Sequence, residues 1–451
     1  MLLHFDVNVT KILSLIVADF VPSSLEKLQD KPAEESVFDD VYKYVASFGV
    51  LQAVLFFGSS LLILQVSSSY LLLVFAMGTP NYHCETPNVT CDPNQCCQNC
   101  TSYAFDGPFT SIVSEWNLLC DRSYLQAIVR SCFYVGDIVG SVCFGIFSDA
   151  YGRKRCMFLG LAVMASFVFG SSFVDCVSLL GFFWFSAGFG TAGILVSQCI
   201  YFMEIVGPKV RLTATSVYEL YWSIGFMGLA LLSFLIRDWR ILMMVSSFPG
   251  MAMLFTWKFV PETPRWLLAH NHVSESFDFL ARCGSKNKEP LNHDNLRALV
   301  KQIRSNQEQI VKTDYIYTVI DLFRTPKIRK WTIALGINWF VTASLSHGMM
   351  LNLTSLSGSI YINTVIVQTI TLLVYPPFWV IVRRFGRRVP HLLLMLITSI
   401  LCILSAVVPR EYKTTKTALF ITAYCVSACL WVTCVLFNSE LFPTVLRYDT
   451  F

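Results

Sequence analysis

Apolar residues run along this chain in long blocks, each about as long as the roughly 20 residues a helix needs to cross a hydrocarbon core. Ten such blocks stand between charged or turn-rich punctuation, near 52–76, 124–147, 156–174, 179–202, 215–236, 241–260, 331–351, 359–381, 390–408 and 417–437. The pattern predicts an all-α protein that crosses a membrane about ten times. Residues 10–21 are also apolar but half a membrane long, so a surface segment is expected there, and nothing at Met1 resembles a cleaved leader. Composition agrees: 54% of residues are hydrophobic, 14% are charged and the mean hydropathy is +0.55, against roughly 25% charged in soluble domains.

The basic residues orient the spans. Residues 148–155 carry Arg153, Lys154 and Arg155, residues 383–389 carry Arg383, Arg384, Arg387 and Arg388, and residues 261–330 carry twelve Lys and Arg, whereas 77–123 carry only Arg122. Basic loops stay in the cytosol, so a cytoplasmic N-terminus and an outward 77–123 loop are expected. That loop holds Cys84, Cys91, Cys96, Cys97, Cys100 and Cys120 together with two sequons, at Asn88 and Asn99. Six cysteines in an oxidising compartment suggest a disulfide-stapled loop with 15 pairings open, glycosylated at the sequons. The same loop is an expected surface for self-association. The other ten cysteines read as small buried apolar residues.

Two landmarks recur in one register. Gly152-Arg153-Lys154 matches Gly386-Arg387-Arg388 at an offset of 234, and Glu204 with Arg211 matches Glu440 with Arg447 at an offset of 236. Parallel repeats of six spans follow: residues 1–50 lead in, 51–260 form a six-helix half, 261–330 link, and 331–451 begin a second half. By the repeat logic the twelfth span would end near residue 495 or so, so the chain is expected to be a shortened form lacking its last two spans.

Four stretches now carry a resemblance: "GIFSDAYGRKR" (145–155), "EWNLLCDRSYLQ" (115–126), "PETPRWLL" (261–268) and "ELFPTVLR" (440–447). With the cysteine-rich loop, they resemble the organic cation, organic anion and carnitine transporters of the major facilitator superfamily. Single motifs are shared with sugar porters, whose first outer loop is short. The resemblance implies a substrate cavity between two six-helix halves, opened alternately to each side. It also implies inner gating by Gly145, Asp149, Gly152, Arg153, Arg155, Glu204, Arg211, Arg265, Arg387, Glu440 and Arg447, with Glu204–Arg211 and Glu440–Arg447 as ion pairs. Gly145 is expected to admit a close helix, and Asp149 to sit at the N-terminus of the following helix, where the dipole favours a carboxylate. In the second copy Arg383 stands for Asp149 and Trp379 for Gly145, so the latch is asymmetric.

Charges inside spans are costly and mark sites. Asp137 lies mid-span with Arg130 seven residues before it on the same face, and Glu219 lies one turn from an inner end. Substrate contact is expected from Asp137, Tyr134, Tyr218, Glu219, Trp222, Trp339, His347, Gln368 and Cys434; Phe133, Gln198, Tyr201, Tyr221, Asn338 and Trp431 could also line a cavity. Aromatic walls suit amines through cation–π attraction. The acidic selector that cation and carnitine members carry in the eighth span corresponds to Thr371, and the two span carboxylates tilt the expected substrate toward organic cations or zwitterions over anions. Small organic ions and the bilayer are the expected partners, nucleic acid is not, and no phosphate-cradling loop, metal-spaced set or cofactor motif points to an enzyme. The alternatives are a shortened membrane protein that binds substrate without moving it and a sugar-porter-like carrier.

Overall fold

The computed structural model describes residues 38–45, 47–85, 96, 100, 103–107, 109–286, 293–311, 323, 326–355, 358–386, 388–409 and 412–441. Six helices build the first half: α1 (Val50–Ala76), α2 (Tyr124–Tyr151), α3 (Arg153–Ser171), α4 (Val177–Ile205), α5 (Arg211–Leu235) and α6 (Trp239–Met253). Three shorter helices follow, α7 (Pro264–Ala269), α8 (Val273–Lys286) and α9 (His293–Val311), and then α10 (Pro326–Leu351), α11 (Ile360–Phe385), α12 (Arg388–Val407) and α13 (Lys413–Leu441). Among the described residues nine helices are long and apolar enough to span a membrane. The seventh predicted span, now α10, has the length but is less apolar, because Asn338, Thr342, Ser346 and His347 interrupt it.

Local signals start the helices where the pattern places them. Gln52 accepts from the Gly49 N–H at 2.6 Å to open α1, and the Asp238 carboxylate accepts from the N–H groups of Arg240 (2.9 Å) and Ile241 (3.0 Å) to open α6. Such caps satisfy amides that have no partner inside the helix.

In the first half α4 lies between α2 and α3, while α1 packs on α5 and α6. Small residues allow the closest approaches, as expected where lipid supplies no hydrophobic drive between helices. A Cβ at Gly188 of α4 would collide with the Phe133 carbonyl of α2, and one at Gly136 with the Phe185 carbonyl of α4. Gly145 differs from expectation: a Cβ there would meet nothing within 4 Å among the described residues. Gln198 and Gln65 spend their amides on the backbone carbonyls of Ser59 (2.6 Å) and Ser246 (2.9 Å), and Tyr201 spends its hydroxyl on that of Pro261 (3.2 Å). Gln198 and Tyr201, which could have lined a cavity, thus brace the helix packing instead.

In the second half α13 packs on α10, α11 and α12. The halves meet where α5 packs against α11 and α13, and where α1 touches α10. At one end a short hairpin pairs Tyr82–Cys84 with Tyr103–Phe105, and disulfides join Cys84 to Cys100 and Cys96 to Cys120. Cys91, Cys97, Asn88 and Asn99 lie outside the described residues. Of the other ten cysteines, Cys156, Cys283, Cys425, Cys429 and Cys434 are buried, but Cys132, Cys143, Cys199 and Cys402 are only partly so and Cys176 is exposed at the start of α4, which corrects the buried expectation for those five.

Candidate functional site

A cavity of about 670 Å³ lies between the halves, walled by α1, α2, α4, α5, α10, α11 and α13. Tyr134, Asp137, Tyr218, Glu219, Trp222, Trp339, His347 and Gln368 all line it, as does Trp431. Cys434 does not: it is buried behind the wall, where Asn338 donates to its sulfur at 3.1 Å. His391 completes that cluster, with one ring nitrogen 2.9 Å from Asn338 Oδ1 and the other 2.6 Å from Thr433 Oγ1.

Asp137 has a different partner from the one its spacing suggests. The Tyr70 hydroxyl of α1 donates to Asp137 Oδ2 at 2.9 Å, while Arg130 donates to the Met77 carbonyl at the end of α1 (3.3 Å). Arg130 is long enough to reach toward the disulfide end, and that leaves the carboxylate to a neutral donor. Tyr70 is the main residue that sequence reasoning missed, since one tyrosine in an apolar run carries no charge signal. Its ring sits 5.1–6.3 Å from those of Phe133, Tyr134, Trp222 and His347. Asp137 therefore opens into an aromatic basket.

At the disulfide end Phe75 of the first half stacks on Tyr361 of the second at 5.4 Å, and Phe234 meets the same ring edge-on at 5.8 Å. These rings close the halves together there. The wall continues in the other direction to Arg211, the first residue of α5.

At the basic end a polar clamp surrounds Arg153, which is 3% exposed. Its guanidinium reaches Asp149 (2.9 Å), Glu204 (3.3 Å) and the Ser148 carbonyl (2.6 Å), and the Thr263 hydroxyl donates to Glu204 at 2.6 Å. Glu262 accepts the backbone N–H groups of Arg153 (3.0 Å) and Lys154 (3.2 Å). Burial pushes the Glu262 carboxyl above its usual range, and those N–H donors pull back against it. Trp266 donates to the Asp149 carbonyl at 2.8 Å. The clamp thereby ties α2, α3, α4 and α7 together.

Gly152 makes this geometry possible. Its φ is +102°, and the Glu262 carboxylate occupies the space a Cβ would need. Gly386 repeats the turn with φ +75°, but nothing among the described residues crowds it.

Several expected contacts are redistributed. Asp149 lies in the last turn of α2, not at the start of α3, so Arg153 rather than a helix N-terminus compensates it. Glu204 and Arg211 do not pair: the clamp takes Glu204, and Asp39 takes Arg211 at 2.9 Å. Arg155 is exposed, and the Arg265 guanidinium lies over the Phe38 ring at 5.7 Å. In the second copy Arg383 covers Trp379 at 4.9 Å, a cation–π pair in place of the first copy's acid and glycine. Arg387, the Glu440 side chain and Arg447 lie outside the described residues.

The sequence profile of the sugar (and other) transporter family matches residues 62–451. The chain belongs to that family. It is thus a multi-pass membrane protein of a transporter family, not an enzyme. Curated relatives include an organic cation transporter-like protein of Drosophila melanogaster, 25% identical over 91% of this chain and 81% of the relative. Solute carrier family 22 member 1 of Bos taurus is 28% identical over 91% and 80%, and member 7 of the same organism is 30% identical over 75% and 61%. Among solved structures the proton:xylose symporter XylE bound to 6-bromo-6-deoxy-D-glucose superposes with a TM-score of 0.63 at 15% identity, covering 88% of this chain and 85% of that one. A double-tryptophan XylE mutant gives 0.66 at 16% identity, covering 88% and 84%. The structural likeness shows the major facilitator fold, and the curated relatives carry the names of organic cation transporters and solute carriers.

Proposed function

We propose that this chain carries small organic cations or zwitterions across the membrane by alternating access, with Asp137 as the principal counter-charge. The observation that carries the reading is Asp137 in the cavity wall, held by the neutral Tyr70 hydroxyl and surrounded by aromatic rings. A carboxylate in low dielectric attracts an opposite charge strongly, and each aromatic face adds about 0.5–2 kcal/mol toward a cation. Glu219 adds a second acid to the same wall. The organic cation transporters among the relatives support the same substrate class.

The disulfide end faces the outside of the plasma membrane, in keeping with oxidised Cys84–Cys100 and Cys96–Cys120 and with basic loops at the opposite face. The Arg153 clamp then acts on the cytoplasmic side, keeping the first half rigid as it rocks against the second. Uptake of labelled tetraethylammonium into proteoliposomes tests the reading. The parent chain accumulates it, and Asp137→Asn weakens apparent affinity by about tenfold, the equivalent of ~1.4 kcal/mol. Unchanged affinity in Asp137→Asn would remove that carboxylate from the site. Saturable binding without accumulation would instead favour a membrane protein that binds substrate and does not move it.

A further inference from the structure

Arg211 is the one Lys or Arg among the described residues lining the cavity, and it does not face that cavity uncompensated. Its two terminal nitrogens meet both oxygens of Asp39, Nη2 to Oδ1 at 2.9 Å and Nη1 to Oδ2 at 3.2 Å. This two-point arrangement fits a planar guanidinium to a carboxylate and is stronger than a single contact. Asp39 is held from below by the helical turn Phe38–Lys43, in which Phe38 and Val41 are buried, the Tyr42 hydroxyl donates to the Glu204 carbonyl at 2.8 Å, and Arg265 covers the Phe38 ring. The acid is thus built into the fold from a segment far from α5 in the chain. Arg211 Nε has no hydrogen-bond partner among the described residues. With Asp39 in place, the acids left to the cavity wall are Asp137 and Glu219.

We infer that Asp39 is a selectivity residue: by occupying Arg211 it keeps the cavity selective for cations, and without it the freed guanidinium takes organic carboxylates or sulfonates. The inference rests on the cation reading above. Its mechanism is electrostatic and reciprocal. Removing the acid uncovers a positive charge at the cavity wall, whereas removing the arginine uncovers a negative one. At about 10 Å and an effective dielectric near 20, one uncovered charge shifts the affinity of a monovalent ion by roughly tenfold.

Equilibrium binding of labelled tetraethylammonium and labelled benzoate to the purified full chain in detergent tests this without requiring transport. Asp39→Asn is expected to weaken tetraethylammonium and strengthen benzoate, each by roughly tenfold. Arg211→Gln is expected to shift both ligands in the opposite directions, and Asp39→Asn with Arg211→Gln to return the ratio to that of the parent. Asp39→Glu should retain the parent ratio. A merely structural role moves both ligands together, and that result in either single variant overturns the proposal, as does no change in the ratio. Opposite shifts in a parent that itself prefers benzoate would uphold the role of Asp39 and refute the cation reading.

Discussion

Replacing Gly152 with alanine perturbs the turn between α2 and α3 in two separable ways. The backbone there has φ +102° and ψ 154°, an extended positive-φ region open essentially to glycine alone that costs an L residue about 1–3 kcal/mol. The new methyl would also occupy the position of the Glu262 carboxylate, which now accepts N–H groups from Arg153 and Lys154 at 3.0 and 3.2 Å. Losing one hydrogen bond to a charged group costs about 1.5–3 kcal/mol. Together they come to about 2.5–6 kcal/mol, and two other glycines resolve the parts. Gly386 shares the positive φ without the crowding, so Gly386→Ala should show only the backbone cost. Gly145 has neither feature, so Gly145→Ala should be neutral or slightly stabilising through helix propensity, worth up to about 1 kcal/mol. Thermal unfolding of the purified variants in detergent at one fixed scan rate reads the order, with Gly152→Ala lowest by about 5 °C or more. A Gly152→Ala midpoint no lower than that of Gly145→Ala would refute the claim that Glu262 depends on this glycine.

Tyr70→Phe removes the donor to Asp137 while leaving the ring, and is expected to change tetraethylammonium affinity severalfold with an unchanged unfolding midpoint; equal affinity would show that the hydroxyl does not shape the site. Arg240→Ala breaks contacts to Glu115 (2.6 Å) and Asp175 (3.0 Å), but because the partners are partly solvated the expected loss is about 1 kcal/mol or less, read as a small drop in midpoint. Cys96→Ser opens the link to Cys120, a separation of 24 residues, with an expected loss of about 3 kcal/mol and one additional free thiol from Cys120 by alkylation under non-reducing conditions.

Hydrophobic blocks and basic loops made the helical architecture legible because both signals are local. A span needs only its own length of apolar side chains, and α1, α4, α11 and α13 begin within a few residues of the predicted blocks. The repeat was legible for the same reason: Gly152 and Gly386 take the same left-handed turn between paired helices. Eight of the nine residues expected to contact substrate do line the cavity, since polar and aromatic side chains in a lipid-facing chain have few other stable places to go.

Partner choice was not legible. Asp137 and Arg130 share a helix face, yet Tyr70 from α1 supplies the hydrogen bond. Glu204 and Arg211 are seven residues apart, yet Arg153 and Asp39 claim them from elsewhere. Cys434 falls behind the wall because Asn338 and Thr342 of α10 lie against it. The sequence by itself determined where the long apolar helices run, which ends are basic and which side chains are too polar for lipid, because each depends on a residue and its near neighbours. Tertiary structure alone decided which charge meets which partner, since the short reach of a hydrogen bond depends on how α1, the Phe38–Lys43 turn and the Thr263 loop are brought against helices distant in the chain.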